Sequence, residues 1–554
     1  NELYLEYHRG TFTSHGKIKK YNRELENLLA ESEKFSALST DYGNKYPGKD
    51  LEDAWDKVMF NQFHDILPGS GIRENYIDAD VKYKKAEEIG NFTLNKALGS
   101  IDESINTSEI ENGTPVTVYN PLNWERTDIV KLNLPEGDEN VYSIYETSGK
   151  EIPSQMGKID RFHNQVMFIA SNIPSVGYKT YVLKEGKSSL ANSPLSATDT
   201  KMENQYFTIS IDTSTGWVKN ITDKRNGKKL FNGEGNKLQL LEDKPKQWDA
   251  WNIGLTGVEY PSHYKKAEVV ESGPVRTIVR LYRDYLKPGI VKDYPTPNFP
   301  SSFFTQDVIL YNGLDRIDFQ TKVDWWEEHT MLKVAFPFSF SDTVATYEIP
   351  YGSIERSTQR KTSWEKARFE VPAEKWADMT SGDYGVSLLN NSKYGYDTKE
   401  NVMRLSLLRS PKWPDPTQDM GKHTIDYALY PHKGDWKSAN TVEQGWNYNE
   451  PLIAVMNTVH SGSLPLSDSF VKLNEDNLIL TTVKKAEDSN AWVIQWYDAE
   501  GRETEATLTL PAVPKKVLQS NFMEVDGKPI HFNGKVVKVK TKKNSVETIK
   551  VYFQ

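Results

Sequence analysis

One stretch gathers residue types that could hold a metal or a sugar hydroxyl: Asn61-Gln62-Phe63-His64-Asp65-Ile66-Leu67-Pro68-Gly69. An imidazole beside a carboxylate offers a neutral nitrogen ligand and an anionic oxygen acceptor. At about 100° per residue, Leu51, Trp55, Met59 and Ile66 cluster on one helix face. His64 points roughly opposite, sharing its side with Phe60 and Leu67. A His-Asp pair at a helix end, on a second and partly apolar face, suggests docking against another body. The competing reading is a surface or interface histidine whose ring is hydrogen-bonded.

Two further clusters combine indoles with carboxylates. Trp248-Asp249-Ala250-Trp251-Asn252 is one, and Asp324-Trp325-Trp326-Glu327-Glu328-His329 is the other. Aromatic faces stack on the apolar C–H patches of sugars, and carboxylates accept hydroxyl hydrogen bonds. A strand that alternates a core Trp with solvated charge would look the same. Gly382-Asp383-Tyr384-Gly385-Val386 and Lys393-Tyr394-Gly395-Tyr396-Asp397 read as loops with exposed aromatics, or as a pair of tight turns. Metalloprotease, phosphate-loop and nucleophile-elbow motifs are missing, and the ten histidines form no i, i+4 pair. No complete metal site is readable, so His64 would need ligands from elsewhere.

These residues must be positioned by two kinds of structure. Residues 16–40 carry Ile18, Tyr21, Leu25, Leu28, Leu29, Phe35 and Leu38 at mostly three- and four-residue spacing, which predicts a helix. Helical patterns resume over 50–64 and 71–105. Short connections between them predict an antiparallel three-helix bundle over 1–110. From about residue 114 short period-two runs and turn signals such as Asn226-Gly227 and Asn312-Gly313 predict packed antiparallel sheets. The expected fold class is therefore multidomain α+β: a helical domain, then β-sandwiches over 111–190, 200–472 and 473–554. Residues 186–202, rich in Ser, Lys and Ala, read as a linker.

The 554 residues carry a net charge of −9, with 68 basic against 77 acidic side chains, and this balance argues against nucleic acid as a partner. The absence of cysteine excludes disulfides, thiolate catalysis and Cys-ligated metal, and fits a reducing, cytoplasmic setting. No apolar run reaches the roughly 18 residues a membrane helix needs. The opening Asn-Glu-Leu-Tyr has neither an initiator Met nor a signal pattern, so the chain reads as the C-terminal part of a longer protein.

Several ordered motifs carry a resemblance across essentially the whole length. Glu2-Leu-Tyr-Leu-Glu-Tyr-His-Arg-Gly-Thr-Phe-Thr13 resembles the segment leaving the catalytic barrel of glycoside hydrolase family 38, the α-mannosidases. Asn61 to Ser70 resembles that family's second-domain signature. Val118-Tyr-Asn-Pro-Leu-Asn-Trp124, Asp243-Lys-Pro-Lys-Gln-Trp-Asp-Ala-Trp251, Tyr351-Gly-Ser-Ile-Glu-Arg356 and Leu405-Ser-Leu-Leu-Arg-Ser-Pro411 continue the series. The similarity favours the bacterial and vacuolar or cytosolic branch. It implies a retaining, zinc-dependent hydrolase of terminal α-mannosides, acting on a mannose-containing oligosaccharide or small mannoside. It implies that His64 is a zinc ligand and that Asp65 contacts mannose hydroxyls. It places the remaining ligands, the nucleophile and the general acid on a barrel that this chain lacks, so no catalytic residue is expected here. Asp249 and Trp251 are expected beside the cleft facing that barrel. Within the family the alternative is a hydrolase of mannosylglycerate-like solutes, and outside catalysis a carbohydrate-binding sandwich module. A homo-oligomer is among the expected assemblies, and no membrane partner is expected.

Overall fold

The computed structural model describes residues 2–190, 193–286 and 302–553. The N-terminal region is helical. Helices α1 (Gly16–Leu38), α2 (Gly48–Asn61) and α3 (Arg73–Asp102) share a core of Ile18, Leu25, Leu29, Leu51, Val58, Tyr83 and Ala86. Gly90 permits the close crossing of α1 and α3, since a Cβ there would press on Leu28 at 2.9 Å. The buried stripe of α2 differs from the expected one: Leu51, Ala54 and Val58 are buried, whereas Met59 is exposed. α2 stops at Asn61, so residues beyond it do not continue the helical phase and Ile66 reaches the core from a turn.

α1 is unusual in burying Lys19, Asn22, Arg23, Glu31, Ser32 and Lys34. Helices cover one side of it and sheets the other, so even its polar side is desolvated. Partners compensate: Arg23 donates to Glu374 at 2.7 Å and to Asn449 at 3.1 Å, and Lys34 donates to the Pro121 carbonyl at 2.5 Å.

Beyond residue 113 the structure is dominated by antiparallel sheets. Two sheets built on Thr114–Asn120, Gly177–Glu185, Arg126–Asn133 and Asn164–Ile173 enclose a small core around Val118, Val130, Phe168 and Leu183. A nine-stranded and a six-stranded sheet, with a five-stranded one beside them, enclose the largest core, which includes Phe319, Trp325, Phe336 and Tyr427. Two four-stranded sheets form the C-terminal unit around Trp496. Short helices Ser363–Ala367 and Thr441–Asn449 interrupt the β structure, the first started by a capping box of Thr362 and Glu365.

The chain crosses between units more than its texture suggests. Strands Ile453–Met456 and Ser467–Ser469 pair with Thr114–Asn120 and Gly177–Glu185, returning to the small sandwich from within the stretch 200–472. The expected linker 186–202 contains a hairpin, Ser196–Thr198 with Lys201–Glu203, that joins the five-stranded sheet, and residues 191 and 192 lie outside the described residues. Phe35, Leu38, Leu98 and Ile101 of the helices share one core with Leu478, Trp496 and Val551 of the C-terminal unit.

Candidate metal and substrate site

His64 and Asp65 sit in the turn that follows α2. Their side chains are 76% and 51% exposed, with His64 Nε2 3.4 Å from Asp65 Oδ2, and the Phe63 ring lies beside the imidazole. The turn is built by its own backbone: Ile66 N–H donates to Phe63 O at 2.9 Å and Gly69 N–H to Ile66 O at 3.0 Å. Gly69 has φ +81, and a Cβ there would overlap the Ser14 carbonyl, so both conformation and space require glycine. Lys19 ties the turn down by donating to Leu67 O at 2.9 Å and to Ser14 O at 2.5 Å. Burial holds the Lys19 ammonium at about 7, against the pull of Asp419. Tyr76 accepts from Gly71 N–H at 2.7 Å, donates to Asp65 O at 3.2 Å and stacks on His15. His15 in turn lies 3.2 Å from Asp415. Burial raises the Asp415 carboxyl, but His15 and the Thr417 N–H and hydroxyl outweigh it and leave it below the ordinary range.

The Trp248–Asn252 turn is held on the same framework. Trp248 takes φ +62, and its carbonyl accepts from Trp251 and Asn252 N–H. Ser14 Oγ donates to Ala250 O at 2.9 Å, and Gly10 N–H donates to Trp251 O at 2.7 Å. Fully buried Arg409 pairs with Asp243 at 2.5 Å and donates to the carbonyls of Ala250 and Asn252 and to Ser14 Oγ. Ala250 N–H donates to Trp413 O at 3.1 Å. Three indoles result from this: Trp251 lies 5.8 Å from Trp248 and 5.4 Å from Trp413, and Trp248 lies 5.5 Å from Trp413. Trp248 and Trp413 are each about half exposed. A cavity of about 1140 Å³ opens beside Trp248 and Trp251, walled also by Tyr7, His8, Arg9 and Lys246. Asp249 turns away from it and accepts from Lys412 N–H at 3.0 Å, with His329 Nδ1 at 3.8 Å.

Ser14 thus bridges the His64 turn and the Trp251 turn, and the loop 409–419 backs both. Four residues of this junction carried no assignment from sequence: Ser14, Lys19, Arg409 and Trp413. Arg409 lies within the Leu405–Pro411 motif, and Trp413 stands between Lys412 and Pro414 just beyond it, which was the available signal. The second Trp cluster divides. Trp325 is buried, donating to Ser410 Oγ at 2.5 Å, whereas Trp326 is exposed and donates to Asp324 at 2.6 Å. Glu327 is buried and accepts from Ser302 at 2.6 Å. The expected exposed aromatics of the two Gly-Tyr loops are instead core: Tyr384 donates to Asp223 at 3.1 Å and Tyr396 is fully buried. Both face inward on paired strands, where the Gly neighbours serve the turn and close packing.

The residues present suit part of a zinc site. An imidazole and a carboxylate stand side by side in solvent, the donor types zinc takes. Among the described residues, however, no group of three or more His, Cys, Asp or Glu side chains is placed to hold a metal ion.

The fold defines a mixed protein, a helical region followed by antiparallel β units with a braced His-Asp turn beside an indole cluster. The chain belongs to glycoside hydrolase family 38. Its residues 6–101 match the α-mannosidase middle domain, 202–417 the family 38 C-terminal domain and 477–549 the family 38 C-terminal β-sandwich domain. It is 31% identical to α-mannosidase G of Dictyostelium discoideum over 94% of this chain and 50% of that one. It is 28% identical to an α-mannosidase of Saccharomyces cerevisiae over 95% of this chain and 45% of that one. The chain therefore spans about half the length of the curated relatives it matches. The fold is shared with an α-mannosidase from Enterococcus faecalis at TM-score 0.81 and 17% identity, covering 98% of this chain and 68% of that one. Among the described residues no helix is long and apolar enough to cross a membrane.

Proposed function

We propose that this chain is the portion of a retaining, zinc-dependent α-mannosidase that completes the active site from outside the catalytic barrel. The observation that carries this reading is the presentation of His64 and Asp65, side by side and exposed, on a turn braced from four directions. A turn held so rigidly, with its two polar side chains left unused by the fold, suits contact with another body. Met59, Phe60, Phe63 and Ile72 are also exposed around it and give that body apolar surface to cover. His64 would supply one ligand and Asp65 a hydroxyl contact. When bound, zinc supplies Lewis acidity and a template for vicinal hydroxyls. The nucleophile and acid/base carboxyls, about 5–5.5 Å apart in a retaining enzyme, would belong to the barrel. Trp251 and its neighbours would form a wall for a mannose-containing glycan, with Asp249 holding that wall to Lys412.

The helical region is read here as a three-helix bundle whose role is to carry the His64 turn to the barrel, and the domain limits 111–190, 200–472 and 473–554 as units joined by the return strands. The α-mannosidases of Dictyostelium discoideum and Saccharomyces cerevisiae named above match over more than nine-tenths of the chain, against 39% for a relative named as a putative mannosylglycerate hydrolase, which supports the mannosidase reading over the mannosylglycerate one. A chain of 554 residues without cysteine supports a cytoplasmic enzyme.

Metal analysis tests the reading. The 554-residue chain alone should retain no tightly bound zinc, because one imidazole and one carboxylate leave most of the coordination sphere to water. The form carrying the barrel should hold one zinc, and His64→Ala in that form should remove most metal and most activity. Stoichiometric zinc in the isolated chain would defeat the cross-domain assignment. Full metal content in the His64→Ala enzyme would defeat the ligand assignment. An inactive, metal-free form with its barrel present would favour the binding-module alternative.

A further inference from the structure

A second cavity, of about 1190 Å³, lies between α1, the small sandwich and the outer face of the nine-stranded sheet. That is somewhat larger than a usual small-molecule site, which spans about 300–1,000 Å³. One wall is a polar row crossing four neighbouring strands, in which Arg280 stands opposite Asp307, Asp307 opposite Gln320, and Gln320 opposite Asp426. Within that row Arg280 grips Asp307 in two bonds of 2.6 and 2.8 Å, and Gln320 donates to Asp426 at 2.8 Å. The row is therefore rigid before any ligand arrives. The facing wall is one side of α1, where Glu24, Asn27 and Glu31 recur at helical spacing.

Some of the lining polar groups are left over by the fold. Glu31 is 8% exposed, and its carboxyl makes no hydrogen bond among the described residues. Burial and the nearby Glu450 hold that carboxyl well above the usual carboxylate range, although Lys34 and Arg126 oppose them. A carboxyl group accepts hydrogen bonds and, when protonated, donates one as well. The Asn391 amide, the Tyr448 hydroxyl and the Lys131 ammonium likewise have no hydrogen-bond partner among the described residues. Lys131 and Lys322 are exposed, so solvent reaches the cavity. Glu31 is the buried member of this set, and a buried polar group without a partner costs free energy unless water or a ligand satisfies it. Cations and carboxylates line the space in near-equal number, and its three Arg groups are already paired with acids, so none of them is free to grip an anion. Mixed donors and acceptors, an aromatic ring and balanced charge are the chemistry that recognises a neutral polyhydroxylated molecule.

We propose that this cavity is a second carbohydrate-holding site, taking a short neutral oligosaccharide, separate from the His64 turn and from the Trp248–Trp251–Trp413 cluster. The inference does not depend on zinc or on the barrel. Titration of the 554-residue chain with mannotriose, with maltotriose and with sulfate, followed by calorimetry and by saturation-transfer NMR, tests it. A neutral trisaccharide should bind in the millimolar range or tighter, and sulfate should not compete. Glu31→Ala and Asn391→Ala should each weaken binding about tenfold, and Glu31→Gln should retain it. Melting curves of the variants separate misfolding from lost contacts, and Glu31→Gln, which keeps the shape, stands as the control. Absence of trisaccharide binding in the millimolar range would overturn the proposal. So would displacement by sulfate, or binding that survives Glu31→Ala and disappears with Trp251→Ala.

Discussion

Arg409 shows how one buried side chain can hold a site it does not enter. Its guanidinium is wholly buried and joins Asp243, Ser14 and the carbonyls of Ala250 and Asn252. Arg409→Met should leave Asp243 buried without its partner. Removing one member of a buried ion pair costs about 3–5 kcal/mol, so the variant should melt lower in calorimetry and its Trp fluorescence should shift as the indole cluster loosens. A melting profile unchanged from the parent would show that the pair is dispensable. Trp251 tests the other end of the same junction. In the barrel-containing form, Trp251→Ala should reduce kcat/KM by roughly fivefold, the equivalent of about 1 kcal/mol of aromatic contact. Its circular dichroism should be unaltered, and unchanged kinetics would assign the ring to packing alone.

At the scale of elements, the turn after α2 depends on glycine and the end of α3 depends on a proton. Gly69→Ala forces a left-handed residue to carry a Cβ and drives that Cβ into the Ser14 carbonyl. A cost of about 1–3 kcal/mol is expected, read as faster amide exchange of Phe63 to Gly69 and, in the barrel-containing enzyme, weaker zinc retention. Asp102 lies in the last turn of α3, 3% exposed, and accepts from the Tyr119 hydroxyl at 2.7 Å. Burial raises its carboxyl to about 7, against the hydrogen bond from Tyr119, and the carbonyl end of a helix also disfavours a negative charge. The folded value thus exceeds the unfolded one near 4, so the folded state binds more protons between those two values. The contribution of Asp102 to stability is therefore present in full below about pH 4 and is lost as pH rises to about 7. Asp102→Asn should match the parent near pH 4 and exceed it near pH 8, by a few kcal/mol at most. Denaturant titrations at the two pH values decide it, and an Asn variant less stable at pH 8 would show that the buried carboxylate is favourably solvated.

For the whole molecule, α1 acts as the spine. Its first turn receives Asp419 on the Gly16 N–H at 2.8 Å, beside the indole cluster, and its last turns enter the core of the C-terminal unit through Phe35 and Leu38. At about 1.5 Å per residue it covers roughly 35 Å between them. Deleting residues 473–554 would uncover Phe35, Leu38, Leu98 and Ile101 together. The truncated chain should bind a hydrophobic dye and lose the cooperative melting of its helical region. A truncated chain that melts as the parent does, without dye binding, would show that the helices fold as a separate unit.

Periodicity was enough to place the three long helices and the change to β structure near residue 114, because amphipathic spacing and Pro-Gly punctuation are local properties of the chain, but it carried α2 on to His64, whereas the helix ends at Asn61 and His64 and Asp65 sit in the turn beyond it. It misassigned the stripe of α2 and the exposure of Tyr384 and Tyr396, because which face is buried depends on what packs there. The return of 453–469 to the small sandwich left no mark in composition, since a strand's partner is chosen by tertiary closure. The same holds for the site: the indole pair at 248 and 251 was visible, but Trp413 joins it from more than 150 residues away through the Ala250–Trp413 hydrogen bond. Residue type and spacing determined which groups could do chemistry. Only the tertiary structure decided that Ser14, Lys19 and Arg409 bring two of those groups onto one framework, because a buried donor takes whichever acceptor the folded chain places within reach.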